Sequence, residues 1–200
     1  MFVLMCAFDD LGLCAISVFF ATGTVASHWK KREKGRMGLA EANEGKRRHT
    51  NVLANAGMAF LLAICAIALP ALQNLFAVAM AATFASALSD TMSSEIGNIY
   101  GRSFVNIQTL KKGVRGQDGM ISLEGTLSGL LGATLMGTVY LFFEFNVQHC
   151  VVIVVAGMIG NLSDSLLGAS LQQRGFLNNH MVNFLNTLIA ALIALGLLVV

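Results

Sequence analysis

LQNLFAVAMAATFASALSDTMSSEIG, residues 72–97, is long enough to cross a bilayer as one helix and carries only two ionisable side chains, Asp90 and Glu95. A hydrocarbon core asks for about 20 apolar residues in a helix, and four further segments approach that length: Leu11 to Ser27, Val52 to Leu69, Ile121 to Phe143 and Val147 to Ala169. Met181 to Val200 makes a sixth. Of the 200 residues 56% are hydrophobic and 12% charged, and the mean hydropathy is +0.69, which excludes a soluble domain of this size. A single Pro, few aromatics and many Ala, Leu, Gly and Met suit helices rather than the alternating strands of an outer-membrane barrel. The expected fold is therefore all-α, one transmembrane domain over residues 1–200 with about six spans at 11–27, 52–69, 72–97, 121–143, 147–169 and 181–200.

Cys6, Cys14, Cys65 and Cys150 lie in or beside apolar stretches without paired spacing and read as small packing residues. Met1 to Phe8 is apolar but too short to span, is interrupted by Asp9 and Asp10, and reads as the tail of an earlier helix. No basic n-region or small-residue site marks a cleavable leader. All 13 Lys and Arg fall in alternate connections. Lys30, Lys31, Arg32, Lys34, Arg36, Lys46, Arg47 and Arg48 occupy the loop 28–50; Arg102, Lys111, Lys112 and Arg115 the loop 98–119; Arg174 the last. The connections around Pro70 and from Glu144 to His149 hold none. This bias places the basic loops in the cytoplasm and both termini outside, in a multi-pass protein of a prokaryotic plasma membrane.

Ionisable residues inside spans cost at least a few kcal/mol each, so they face the protein interior and serve a function. Here they form a layer. Asp90 has Ser86, Ser93 and Ser94 on its face of the third span, with Glu95 nearer the cytoplasm. Asp164, with Asn161, Ser165 and Gly168, stands on the fifth, and both Asp lie roughly 12–13 Å from the cytoplasmic ends of their helices. The outward-running helices contribute Asn51 and Asn55, then Ser122, Glu124 and Thr126, then Asn183 and Asn186 from their first turns. The competing reading is polar glue between helices, but glue has no reason to collect at one depth beneath basic loops. Leu88-Ser89-Asp90-Thr91 and Leu162-Ser163-Asp164-Ser165 also suggest an internal repeat of helix hairpins.

Gly113, Gly116 and Gly119 punctuate a loop carrying Lys111, Lys112, Arg115 and Asp118 that leads into a helix N-terminus. Backbone N–H groups and cations there read either as an anion site or as an ordinary turn beside the membrane. There is no Walker A motif, since Gly45-Lys46 is followed by Arg47. The run Lys30 to Arg48 suits anionic lipid headgroups or nucleotide phosphates. Gly125, Gly129 and Gly132 mark close helix packing.

SDTMSSEIG (Ser89 to Gly97), GQDGMISLEGTLSGLLGA (Gly116 to Ala133), SDSLLGASLQ (Ser163 to Gln172) and VNFLNT (Val182 to Thr187), with KRRHTNVLANAG (Lys46 to Gly57), occur in this order. Together they resemble the membrane family that includes transmembrane protein 19 and the plant and cyanobacterial phytyl-phosphate kinases. Members generally have further hydrophobic sequence before the first helix, and many have Asp where this chain has His49.

The resemblance implies phosphoryl transfer from a nucleoside triphosphate, CTP or ATP, to an isoprenoid monophosphate. Such transfer needs positioning and charge neutralisation, which Mg²⁺ on carboxylates supplies. On this reading Asp90, Glu95 and Asp164 hold the metal and Glu124 joins them as a catalytic carboxylate. Asn51, Asn55, Asn183 and Asn186 bind phosphate or headgroup oxygens, alongside Ser122 and Thr126. Lys111, Lys112, Arg115, Gly116 and Gly119 receive the nucleotide. No nucleic-acid partner is expected. A CDP-lipid synthase would use the same ingredients but release diphosphate, and a transporter would need a polar path to both faces.

Overall fold

The computed structural model describes residues 1–38 and 49–199, the side chains of 49–53 excepted. Seven helices stand among the described residues: α1 (Phe2–His28), α2 (Lys31–Arg36), α3 (His49–Ala68), α4 (Gln73–Tyr100), α5 (Leu123–Glu144), α6 (Val147–Leu167) and α7 (Asn179–Val199). Five of them, α1, α4, α5, α6 and α7, are long and apolar enough to cross a membrane, and α3 adds an apolar run over Ala54–Ala68. The chain is thus the expected all-α multi-pass bundle.

α4 is its axis, packing against α1, α3, α5, α6 and α7. From Ala77 to Ser89 every residue of α4 is buried, so this stretch presents no face to the surroundings. Its run of Ala and Ser instead lets neighbours approach closely. α5 does so through glycine: a Cβ on Gly97 would stand 2.9 Å from the Gly125 Cα, and one on Gly132 3.1 Å from the Leu88 carbonyl oxygen. The reading of Gly125 and Gly132 as packing positions holds.

Three boundaries differ from expectation. α1 turns sharply at Phe8 and Asp9, whose φ of −136° and 49° break the helix. Leu4 then lies so near Gly12 that a Cβ there would meet its backbone. The first residues therefore fold back as a short helix that buries Leu4, Ala7 and Phe8, with the Gln73 side chain donating to the Ala7 carbonyl at 2.7 Å. α5 starts at Leu123 rather than 121, because Ser122 is extended and its Oγ accepts from the Gly125 N–H at 3.1 Å. Ahead of it, β1 (Val105–Asn106) and β2 (Met120–Ile121) pair antiparallel, a small hairpin within a connection that reads as loop. Finally, α6 loosens into a π-helical turn over Gly168–Gln172.

Candidate functional site

The ends of α1, α4 and α6 and the starts of α3, α5 and α7 meet at one end of the bundle, the end that bears every Lys and Arg among the described residues. A cavity of about 290 Å³ lies among them. Asp90 and Glu95 of α4 line it, as do Asp164 of α6, Asn55 of α3, Asn183 of α7, and Ser122 and Thr126 at the start of α5. Gly116 and Gly119 close it from the hairpin loop. Nine of the residues singled out in the sequence thus share one chamber.

At its floor Asp90 and Asp164 line the same cavity, bringing α4 and α6 together at the two Leu-Ser-Asp sequences. Asn186 holds Asp164 from behind: its Nδ2 donates to Oδ1 at 2.6 Å, and its own Oδ1 accepts from the Ser86 hydroxyl at 3.2 Å. Asn186 is fully buried and does not line the cavity, so it supports a wall residue instead of meeting phosphate oxygens. Beside the pair, the Asn161 amide donates to Ser89 at 2.9 Å and Ser93 at 2.8 Å. A Cβ on Gly129 would collide with these same groups, which is why α5 carries glycine there.

Glu95 is placed differently from its reading as a metal ligand. Its carboxylate pairs with Lys34, whose ammonium also donates to the Ala26 and Ser27 carbonyls at 3.2 and 3.3 Å. Lys34 is only 5% exposed and lines the cavity with Lys31. Among the described residues no three His, Cys, Asp or Glu side chains are grouped as a metal site. Asp90 and Asp164 share the described wall of the cavity with hydroxyl and amide oxygens, a donor set that suits a hard cation keeping other ligands of its own. The Asn55 Oδ1 is buried and has no hydrogen-bond partner among the described residues, a further oxygen on the same wall.

The loop cations and Glu124 stand elsewhere. Arg115 donates to the Gly101 carbonyl at 2.6 Å and its guanidinium lies 5.3 Å from the Phe104 ring, pinning the hairpin. Lys111 and Lys112 are exposed, with the Lys111 carbonyl accepting from the Asn106 N–H at 2.9 Å. None of the three lines the cavity. Glu124 turns outward to Arg102, 3.9 Å from its Nε, and does not line it either. Asn51 lies outside the described side chains. The loop nevertheless reaches the chamber through its backbone: at Gly119, φ is +75° and a Cβ would strike Ala169. Gln173 ties this turn down, donating to the Asp118 carbonyl at 2.7 Å. Lys34, Asn98 and Asn179 are lining residues that helix periodicity did not single out, because two lie at helix ends and one on a short helix beyond the span.

The family model described as "Integral membrane protein DUF92" matches residues 1–191. The chain belongs to this family. It is 34% identical over 196 residues to protein VTE6, chloroplastic, of Arabidopsis thaliana, a match covering 94% of this chain and 59% of that protein. An uncharacterised membrane protein of Synechocystis sp. is 32% identical, with 93% of this chain and 73% of the relative covered. One of Methanocaldococcus jannaschii is 36% identical, with 88% and 71% covered. The chain thus spans less than two thirds of VTE6, and its DUF92 membership establishes a multi-pass membrane protein. No solved structure matches it.

Proposed function

We propose that this DUF92 protein is a membrane-embedded prenyl-phosphate kinase, moving the terminal phosphoryl group of a nucleoside triphosphate, CTP or ATP, onto an isoprenoid monophosphate. The observation that carries the reading is the convergence of Asp90 and Asp164, one from each Leu-Ser-Asp sequence, on one polar chamber at the basic end of an otherwise apolar bundle. Two half-buried carboxyls on the wall of one chamber offer oxygen ligands to a hard cation. The motif resemblance to the phytyl-phosphate kinases supports the same chemistry. Asp90 and Asp164 would hold Mg²⁺, which supplies charge neutralisation between the two phosphates. Asn55 and Asn183 bind phosphate oxygens, Lys31 contributes positive charge at the wall, and the Gly116–Gly119 turn admits the nucleotide from the aqueous side. Glu95, neutralised by Lys34, positions that ammonium.

The test is transfer of label from the γ-phosphate of CTP or ATP to prenyl monophosphates by the purified protein with Mg²⁺. Labelled prenyl diphosphate is expected, reduced at least about 100-fold in Asp90→Asn and Asp164→Asn. No lipid product from folded protein with either nucleotide would reject the kinase. Release of diphosphate with a nucleotidyl lipid would instead identify a CDP-lipid synthase.

A further inference from the structure

We propose that the cavity opens sideways into the bilayer between α5 and α6, and that the apolar tail of a lipid phosphate occupies this window while its headgroup reaches Asp90 and Asp164. The inference rests on reading the cavity as a lipid-phosphate site. It starts from two places where α5 and α6 touch. Toward the end remote from the basic loops, a Cβ on Gly137 would stand 2.9 Å from Val154 and 3.2 Å from the Cys150 carbonyl. Near mid-depth, one on Gly129 would stand 2.8 Å from the Asn161 amide. These contacts seal the seam from its far end to Asn161.

Beyond Asn161 the wall changes. Leu162 belongs to the stripe Val155, Ile159, Leu162 and Leu166, exposed by 36–46% and turned away from the buried face that holds Ile153, Gly157 and Gly160. Leu162 nevertheless lines the cavity. One side chain can face both lipid and cavity only where the wall between them ends. Across the seam Thr126 lies three turns before Gly137, on the α5 face that seats α6, and it too lines the cavity. Its hydroxyl proton is spent on the Ser122 carbonyl at 3.0 Å, so it offers the cavity no free donor. The window therefore has an apolar edge at Leu162, and the α6 face that lines the cavity runs around the helix from Leu162 through Ser165 and Asn161 to Asp164. That order, hydrocarbon then polar oxygens, matches an amphiphile with a long apolar tail and one phosphate.

A prenyl monophosphate carrying a diazirine in its tail tests this without any nucleotide. Irradiation should place adducts on residues 123–131 and 159–166, and excess unlabelled prenyl phosphate should suppress them. Adducts mapping between other helices, or none that unlabelled lipid displaces, would overturn the window. Such adducts without phosphoryl transfer would keep the window and remove the kinase; transfer with adducts elsewhere would do the reverse. In kinetic assay, Leu162→Trp should raise KM for a long-chain prenyl phosphate about ten-fold relative to that for a one-isoprene substrate. An unchanged ratio would also count against the window.

Discussion

Lys34 is 5% exposed although it sits on a six-residue helix beyond the end of α1, in a run of basic residues that reads as a site for anionic lipid headgroups or nucleotide phosphates. Its three ammonium hydrogens are all engaged, by Glu95 and by the Ala26 and Ser27 carbonyls. A pair this buried is worth little against an apolar substitute but costs several kcal/mol when one member alone is removed. Lys34→Met should therefore destabilise by about 2 kcal/mol, Glu95 being partly solvated, and Lys34→Met with Glu95→Gln should recover most of that loss. Thermal unfolding in detergent measures both; equal destabilisation of single and double variants would show that the pair is not coupled. Asn186 offers the complementary case. It touches Asp164 but not the cavity, so Asn186→Ala should weaken Mg²⁺ activation about 10-fold or more while leaving KM for prenyl phosphate nearly unchanged. A shift in substrate KM alone would return Asn186 to a direct substrate role. Sequence placed Asp90, Asp164 and Asn186 at one depth, which helix rise predicts. It did not distinguish the side chain that lines the chamber from the one behind it, since that depends on helix rotation against α4.

At the scale of elements, hydropathy found the long apolar helices, five of them long enough to cross a membrane, because lipid demands such a helix whatever its neighbours do. The misplaced pieces are those governed by tertiary contact. The fold-back at Asp9 is held by the Gln73 bond to Ala7, and the hairpin 105–121 by Arg115 on Gly101, neither of which leaves a periodic trace. Glycine was legible, and the structure separates its uses. Gly129→Ala places a methyl group among Ser89, Ser93 and Asn161, so it should destabilise by about 1–3 kcal/mol and disturb the Asp floor. Gly196→Ala meets nothing within 4 Å and should change stability by less than about 0.5 kcal/mol. Unfolding of the two variants side by side checks this; equal effects would mean that α5 does not approach α4 as closely as described.

For the whole molecule, the layout of charge and cavity ties mechanism to orientation. The chamber and the described Lys and Arg share one end, while the far end is closed by the buried apolar stretch of α4 and by the Tyr140 hydroxyl paired with His149 at 2.9 Å. A protein that draws on a nucleoside triphosphate needs its chamber on the side where that nucleotide is held, and the bias of Lys and Arg argues for the same side. Single cysteines in a variant lacking Cys6, Cys14, Cys65 and Cys150 decide it. Gln148→Cys, exposed at the far end, should react with a membrane-impermeant maleimide in intact cells. Arg174→Cys, exposed in the connection beside the chamber, should react only after permeabilisation. The opposite pattern would put the Asp90–Asp164 chamber outside, where a nucleotide donor is not supplied, and the site would then have to act on a lipid phosphate without one.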